Sequence, residues 1–420
     1  MVGAETYPGH GAAFCLARLY HCDGRVIRTA DSSAENCAWL RARHRGLPLQ
    51  FVSAADVRAA ILATQQSALI TEAVYGLARR LPHLSARHVL SRGQKIVFLL
   101  LAVGLLLCVL RWPLATLQAL TAFLAFAFVV SGLFRVGLAW LGAGGPRRDL
   151  PRPRHALPLY TILVPLYREA NVLPRLLQAL RALDYPAQRL DIKLVLEADD
   201  DETIAAAQAC GEGFEIIRVP DHGPRTKPKA ANYALQFARG EYLVIFDAED
   251  RPEPDQLLKA VAAFRAAPRQ LACFQARLNF YNTDHNWMTR MFALDYAQWF
   301  DMLLPGLDRF GVPMPLGGTS NHFRTQVLRD IGGWDAFNVT EDADIGIRLA
   351  QLGYCVSMIP STTYEEAPAS LGPWLRQRSR WLKGHMQTWL VHMRDPVGLW
   401  RRGPGSWRNR RSSSAAPVRK

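Results

Sequence analysis

The sequence predicts an α/β fold in which a mostly parallel sheet carries helices on both faces. A two-helix transmembrane hairpin and a small N-terminal helical module precede it. Three observations lead to this prediction. Strand-like and helix-like patterns alternate from Tyr160 onward, two long apolar runs lie within residues 96–134, and residues 54–90 carry apolar side chains at helical spacing. Alternation is typical of parallel sheets, and long uncharged runs are typical of membrane spans.

Four strands and three helices are expected in alternation. The strands are predicted at 160–165, 192–196, 214–219 and 242–246, and the helices at 171–183, 203–210 and 228–238. The last strand is apolar and ends in Asp247-Ala248-Glu249-Asp250. Ligands bind at the carboxyl ends of central strands in such sheets, and clustered carboxylates favour Mg²⁺ or Mn²⁺ between them. A solvated acidic turn is the alternative.

The two apolar runs predict membrane spans joined by a tight turn. Residues 96–110 carry no charge, residues 114–134 are nearly all apolar, and Arg111-Trp112-Pro113 lies between them. Lys and Arg are enriched before and after the pair, which places both flanks in the cytoplasm. A buried helical hairpin is the alternative, which the lack of any polar face disfavours.

Changes in composition divide the chain into five segments. Residues 1–92 form an N-terminal cytoplasmic module, and 93–141 form the transmembrane helices. Residues 142–158, rich in Gly, Pro and Arg, form a linker. Residues 159–395 form the α/β domain, and the basic stretch 396–420 is expected to be disordered.

The net charge suggests an anionic partner. The chain has 50 Lys and Arg against 36 Asp and Glu, a net charge of +14. The excess concentrates at the membrane flanks and in the last twenty residues, so no nucleic-acid partner is expected. The seven cysteines are scattered without metal spacing, which predicts reduced thiols in an intracellular chain. No cleavable signal peptide is expected at the N-terminus.

Several short motifs occur in a fixed order between residues 155 and 395. They are Val164-Pro165-Leu166-Tyr167-Arg168-Glu169, Glu197-Ala198-Asp199-Asp200, Lys227-Pro228-Lys229-Ala230-Ala231-Asn232, Asp247-Ala248-Glu249, Thr340-Glu341-Asp342 and Gln377-Arg378-Ser379-Arg380-Trp381. This ordered set resembles the inverting family 2 glycosyltransferases, specifically the membrane-embedded branch that includes cellulose and hyaluronan synthases.

The resemblance implies a GT-A type fold and a nucleotide-sugar donor, with a UDP-sugar expected. The implied donor-binding residues are Pro165, Tyr167, Glu169, Glu197, Asp199, Lys229 and Asp247. Glu197 stands where the family has an aspartate, and Asp200 is an alternative to Asp199. Lys229 would approach the diphosphate as a point charge.

The resemblance also implies a metal site and a general base. Asp247 and Glu249 match the family's metal-binding pair and would hold Mg²⁺ or Mn²⁺, with Asp250 an alternative ligand. Asp342, next to Glu341, would take the proton of the acceptor hydroxyl. Because a helix is predicted from residue 345, these acids are also typical of a helix N-terminus.

The last motif is expected to serve the acceptor and the diphosphate. Gln377 and Arg380 would line one side of a helix, Arg380 would contact the diphosphate, and Trp381 would stack on an acceptor sugar. The surrounding residues also suit an amphipathic helix on a membrane surface, as does the stretch 287–304.

The expected function is a membrane-anchored, metal-dependent hexosyltransferase of the bacterial inner membrane. Its acceptor would be a polysaccharide or a lipid-linked glycan. The alternative is an impaired or truncated relative that acts as a nucleotide-sugar or cyclic-dinucleotide-binding regulatory subunit, since no further membrane helix follows residue 400. Residues 46–57 resemble the N-terminal domain of type II secretion ATPases, some of which bind cyclic dinucleotides.

Overall fold

The computed structural model describes residues 5–6, 13–15, 20–30, 32–44, 46–143, 153 and 156–401. Most of the predicted linker and most of the predicted basic tail therefore lie outside the described residues.

The N-terminal segment contains the predicted helix together with short strands. The strands are β1 (Glu5–Thr6), β2 (Ala13–Cys15), β3 (Tyr20–Cys22), β4 (Ile27–Thr29) and β5 (Leu49–Phe51), and the helices are α1 (Ala34–Arg43) and α2 (Ala54–Arg80). The strands pair in chain order, and only β4 and β5 are parallel. The strands were not predicted because each is only two or three residues long.

Helix α2 shares a hydrophobic core with the main domain. Its side chains Ile61, Leu69 and Ile70 belong to the cluster that surrounds the helix beginning at Lys227. The amide of Asn232 donates to the carbonyl of Ala73 at 2.9 Å, across 159 positions of sequence. A pattern of apolar spacing shows that α2 has a buried face, but it does not show what covers that face.

Two apolar helices follow, as predicted. They are α3 (Arg92–Arg111) and α4 (Pro113–Gly142), separated by Trp112. The residues of their most apolar windows are all exposed. Ser91 begins α3 with a capping box to Gln94, which satisfies the first free N–H groups. By length and composition, both helices could cross a membrane.

The bases of both apolar helices are fixed to the main domain. At the end of α4, Gly142 and Gly306 allow backbone contact, because a Cβ on Gly306 would lie 2.2 Å from the carbonyl oxygen of Leu138. At the start of α3, the Gln94 amide donates to the Leu390 carbonyl at 2.7 Å. The guanidinium of Arg394 donates to several carbonyls of residues 82–89. The orientation of the hairpin is thus coupled to that of the main domain.

The main domain is built on one eight-stranded mixed sheet. Its strands are β6 (Tyr160–Leu166), β7 (Leu190–Glu197), β8 (Glu215–Val219), β9 (Tyr242–Ile245), β10 (Arg251–Pro252), β11 (Leu271–Phe280), β12 (Asn321–Arg324) and β13 (Cys355–Glu365). Their order is β10-β13-β11-β12-β9-β6-β7-β8. The block β9-β6-β7-β8 is parallel, as are β11 and β13. Strand β12 pairs antiparallel with β9 and β11.

Helices cover both faces of this sheet. They are α5 (Leu173–Arg181), α6 (Asp201–Ala209), α7 (Lys227–Leu235), α8 (Gln256–Ala266), α9 (Trp287–Ala297), α10 (Leu304–Phe310), α11 (Thr325–Asp330), α12 (Glu341–Gln351), α13 (Leu371–His392) and α14 (Pro396–Arg401), with a π-helical turn at Gln298–Leu303. Alternate residues of one strand enter opposite cores: Leu163 joins the core on the α7 side, and Ile162 and Val164 join the other. The predicted layered α/β arrangement is confirmed.

Helices α9 and α13 expose apolar side chains on the surface. The exposed residues are Trp287, Met291 and Leu294 on α9, and Leu371, Leu375, Leu382, Met386 and Trp389 on α13. Exposed apolar residues that recur on one helix are typical of a docking or membrane surface.

Candidate functional site

The carboxyl ends of three parallel strands bring acidic residues to one edge of the sheet. Glu169 follows β6, Glu197 ends β7, and Asp247, Glu249 and Asp250 follow β9. Strand β13 adds Glu365 at its last residue, because β10, which directly follows Asp250, pairs with the end of β13. The first turn of α12 contributes Glu341 and Asp342. We call the resulting cluster the acidic pocket; its members are Glu169, Asp247, Glu249, Asp250, Glu341, Asp342 and Glu365.

Asp250 holds the turn that carries Asp247 and Glu249. Its Oδ2 accepts the Asp247 backbone N–H at 2.7 Å and the Thr319 hydroxyl. Its Oδ1 is buried without a hydrogen-bond partner among the described residues. Burial, followed by the charges of Asp247 and Glu249, raises the pKa of Asp250 well above its usual range. Ionisation of the carboxyl groups in this turn is therefore unfavourable unless a positive charge lies nearby.

Burial, together with neighbouring carboxylates, also raises the pKa values of Glu169, Glu341 and Glu365 in the acidic pocket. Burial and then the charge of Glu249 raise the pKa of Glu169 to about 7. Burial and then the charge of Asp342 raise the pKa of Glu341 to about 8. Burial and the charges of Asp250, Asp247 and Glu249 raise the pKa of Glu365 well above its usual range. Glu365 was not predicted, because only the pairing of β13 with β10 brings it to Asp250.

A lysine not predicted as a site residue lies in the acidic pocket. The ammonium of Lys227 pairs with the Asp247 carboxylate and donates to the Gly318 carbonyl at 2.8 Å. Burial alone would lower the pKa of Lys227, but the charges of Asp247 and Glu341 outweigh it and raise that pKa. Lys229, the predicted diphosphate ligand, is fully buried. It donates to the Glu197 carboxylate at 2.8 Å and to the His222 carbonyl at 3.2 Å.

Asp342 lies close to Gly318, which this lysine also contacts. A Cβ on Gly318 would be 3.4 Å from Asp342 Oδ2, while the Gly318 carbonyl accepts from Lys227. Burial raises the pKa of Asp342. The predicted base Asp342 and the predicted metal-binding acid Asp247 therefore lie near the same lysine: Lys227 pairs with Asp247, and its charge opposes the rise in the pKa of Asp342.

The other predicted donor residues lie along the β6 and β7 ends. Pro165 is within β6, and Tyr167 is exposed with the Arg168 guanidinium 5.1 Å from its ring centre. Asp199 pairs with Arg225 at 2.9 Å on the surface. Asp200 instead caps α6 and accepts the Arg168 backbone N–H at 2.5 Å, which is a structural role.

Helix α13 carries the last motif and packs against the start of α12. Trp381 lies in an aromatic cluster with Phe292 and Tyr296, at ring distances of 6.0 and 6.2 Å. Arg380 is exposed. The Gln377 side-chain oxygen is buried without a hydrogen-bond partner in the part of the chain that the structure describes. The Trp381 ring is thus partly occupied by protein contacts.

Gly384 permits the close approach of α13 to the Thr340-Glu341-Asp342 segment. A Cβ at this position would lie 2.4 Å from Thr340 Cγ2 and 2.8 Å from the Thr340 backbone nitrogen. The Asn338 amide also donates to Thr388 Oγ1 on α13 at 2.9 Å. The position of Asp342 therefore depends on how α13 packs against the segment that carries it.

We expect Gly384→Ala to lower kcat by roughly tenfold or more, because small misplacement of a reacting group is costly. The added methyl group would push α13 and the Asp342 segment apart. Steady-state kinetics will measure this effect. Gly372→Ala, on the same helix, is the control, since its nearest neighbour would be 3.6 Å away at the end of the Arg376 side chain. Equal kcat values for the two variants would contradict the prediction.

We expect Glu341→Gln to stabilise the metal-free protein at alkaline pH. The folded state keeps the Glu341 proton up to its pKa of about 8, whereas the unfolded chain releases it near the ordinary value, so the free energy of unfolding falls as pH rises between those values. In EDTA the variant should unfold at a Tm roughly 2–5 °C above wild type at pH 8.5 and at nearly the same Tm at pH 5. Glu202→Gln, on the exposed face of α6, should show no such pH-dependent difference. A Glu341→Gln difference that stays constant with pH would contradict this.

The chemistry of the acidic pocket fits a divalent cation. Within the described ranges, no three His, Cys, Asp or Glu side chains form a ready metal-binding group. Mg²⁺ and Mn²⁺ commonly use one or two carboxylates and complete their coordination with water and substrate phosphates. Asp247 and Glu249 can supply that number, and the unpaired Asp250 oxygen and the raised pKa values indicate a site that lacks positive charge.

Comparisons with known proteins agree with the fold and the motifs. The family described as "Glycosyl transferase family group 2" matches residues 242–411. A probable glycosyltransferase, YdaM, of Bacillus subtilis is 25% identical over 266 residues, which cover 61% of this chain and 62% of YdaM. The β-monoglucosyldiacylglycerol synthase of Trichormus variabilis is 26% identical over 253 residues, which cover 57% of this chain and 53% of that protein.

Two further matches extend this pattern. Cellulose synthase 2 of Novacetimonas hansenii is 28% identical over 330 residues, which cover 73% of this chain and 20% of the synthase. The structure of a mannosyltransferase from Pyrobaculum calidifontis, in complex with GDP-Man and Mn²⁺, superposes with a TM-score of 0.50 at 20% identity, covering 71% of this chain and 87% of that one. The chain spans only about half to three fifths of the length of the first two relatives.

Proposed function

We propose that this chain, which carries a family 2 glycosyltransferase domain, transfers a sugar from a nucleotide-sugar to a polysaccharide or a lipid-linked glycan. The donor is a UDP-sugar, and the transfer inverts the anomeric configuration and requires Mg²⁺ or Mn²⁺. The observation that carries this proposal is the position of Gly318. Its carbonyl oxygen accepts from Lys227, the partner of Asp247, and a Cβ on this glycine would lie 3.4 Å from Asp342 Oδ2.

In the proposed reaction, Asp342 accepts the proton of the acceptor hydroxyl as that oxygen attacks the anomeric carbon. The bond from that carbon to the diphosphate breaks in the same step, and the nucleoside diphosphate leaves. Asp247 and Glu249 would hold the metal, which when bound supplies Lewis acidity to the leaving diphosphate. Glu341 increases the electrostatic demand for a cation beside Asp342.

The remaining predicted residues have proposed roles around this centre. Pro165, Tyr167, Glu169 and Asp199 would contact the base and ribose, because Pro165 lies near the end of β6 and the others follow the neighbouring strands β6 and β7. Gln377 and Arg380 would contact the diphosphate, and Trp381 would border the acceptor sugar. Glu197 and Lys229 pair with each other in the interior, so we assign them the support of α7 beneath the pocket.

We further propose that the protein sits in the bacterial inner membrane with residues 159–395 in the cytoplasm. The two apolar helices, whose most apolar windows contain no buried residue, support this, as do the exposed apolar residues of α9 and α13, which would lie on the same membrane surface. The basic residues before α3 and after α4 set the orientation. A cyclic dinucleotide bound by residues 1–92 is a separate proposal that rests on the sequence resemblance alone.

The proposal is tested by following a labelled sugar. Protein in nanodiscs that contain bacterial lipid extract is given radiolabelled UDP-glucose, UDP-N-acetylglucosamine or GDP-mannose with Mn²⁺, and the label is sought in the lipid and polymer fractions. We expect transfer from a UDP-sugar and, by NMR, a product of inverted configuration. A retained configuration, or transfer from GDP-mannose alone, would contradict the proposal.

A further inference from the structure

We propose that Lys227 is a built-in counter-ion that occupies the Asp247 carboxylate until a nucleoside diphosphate arrives, so that the divalent metal and the donor bind together rather than separately. The inference rests on the proposed function and adds to it a coupling between metal binding and donor binding. Lys227 belongs to a motif that carries the family resemblance, but the resemblance gave the diphosphate role to Lys229.

The position of Lys227 on its helix calls for an anionic partner. Lys227 is the first residue of α7, where a positive charge opposes the helix dipole. It pairs there with Asp247 while about 29% of its side chain remains exposed. Lys229, by contrast, is held in the interior by Glu197 and cannot change partners without breaking a buried ion pair.

Lys227 acts on most of the acidic pocket. Its charge lowers the pKa values of several carboxyl groups whose burial raises them, namely Glu169, Glu249, Glu341, Asp342 and Glu365. The cluster is thus partly neutralised by the protein itself. The Asp247 carboxylate is already paired with Lys227, and the positive charge of Lys227 repels an approaching metal ion. Both effects weaken metal binding at Asp247.

A diphosphate removes this conflict. It brings negative charge and acceptor oxygens to the pocket, so the ammonium can leave Asp247 for a phosphate oxygen and keep its bond to the Gly318 carbonyl. The flexible stem and three N–H donors of lysine permit this exchange. Asp247 is then free to bind the metal ion. The negative charge of the diphosphate would neutralise both the Lys227 ammonium and the metal ion.

The test measures Mn²⁺ binding to the full chain in detergent by electron paramagnetic resonance, with and without UDP. We expect Lys227→Met to bind Mn²⁺ without nucleotide at least about tenfold more tightly than wild type. The substitution removes the positive charge of Lys227, which repels Mn²⁺ at Asp247. Lys227→Gln should show the same shift, and Lys227→Arg should stay near wild type. UDP should tighten Mn²⁺ binding to wild type at least about tenfold and should tighten it much less in Lys227→Met, by reciprocal linkage.

Lys259→Met is the matched control, since Lys259 pairs with Glu253 and Asp255 outside the acidic pocket. Circular dichroism confirms that each variant is folded. The inference would be overturned if Lys227→Met, Lys227→Gln and Lys259→Met bind Mn²⁺ with equal affinity and UDP tightens Mn²⁺ binding equally in all three. The proposed function would then still stand. Failure of every variant to bind UDP, GDP or inorganic pyrophosphate would instead contradict the proposed function.

Discussion

Asp342→Asn should reduce kcat by roughly 10²–10⁴-fold, the usual contribution of a general base. The amide keeps the shape of the side chain but cannot take the proton of the acceptor hydroxyl. Nucleotide and Mn²⁺ affinities should change little, because Asp247, Glu249 and Lys227 remain in place. Release of nucleoside diphosphate will measure kcat, and titration with UDP will measure binding.

The matched control for this variant is Asp330→Asn. Asp330 is an exposed aspartate at the end of α11, and its side chain accepts only from Gln326 among the contacts described. It should retain wild-type kcat. If Asp342→Asn keeps more than about a third of wild-type kcat at saturating acceptor, another group takes the proton, and Glu341 becomes the first candidate.

Asp247→Asn should abolish Mn²⁺ binding and lower turnover at least a hundredfold. The change removes the proposed metal ligand that follows β9 and also the anionic partner of Lys227. Loss of Lewis-acid stabilisation of the leaving group accounts for the lower rate. Resonance titration with Mn²⁺ distinguishes this variant from Asp342→Asn, which should bind the metal normally.

The outcome that would contradict this second prediction is turnover that persists in Asp247→Asn and in EDTA. That result would mean that Lys227 alone stabilises the leaving diphosphate. The double variant Lys227→Met with Asp247→Asn would then lose the remaining activity.

Local sequence patterns predicted the elements that are defined by short-range periodicity. The buried face can be recognised from the apolar pattern of a few residues in strands such as Tyr160–Leu166 and in amphipathic helices such as Leu173–Arg181. Strand β12 was missed, because its four residues Asn321–Arg324 include two that are polar and one that is charged. Its identity depends on pairing with β9 and β11.

The site was predictable to the extent that its residues follow strand ends. Asp247 and Glu249 were predicted in this way, because the end of a parallel strand is a general ligand position. The position of Glu365 and the different partners of Lys227 and Lys229 were not predicted, because they depend on contacts between distant segments. A helical pattern places Lys227 and Lys229 within one turn, but only the neighbouring Glu197 and Asp247 decide which ammonium is buried and which faces the acidic pocket.

Nucleoside diphosphate release by the purified chain in nanodiscs tests most directly whether the chain catalyses metal-dependent sugar transfer with Asp342 and Asp247. UDP-glucose, UDP-N-acetylglucosamine and GDP-mannose are offered with Mn²⁺ or Mg²⁺, beside Asp342→Asn and Asp247→Asn. We expect acceptor-stimulated release from a UDP-sugar that requires the metal and both carboxylates. Release that is unaffected by EDTA and by both substitutions would contradict this expectation.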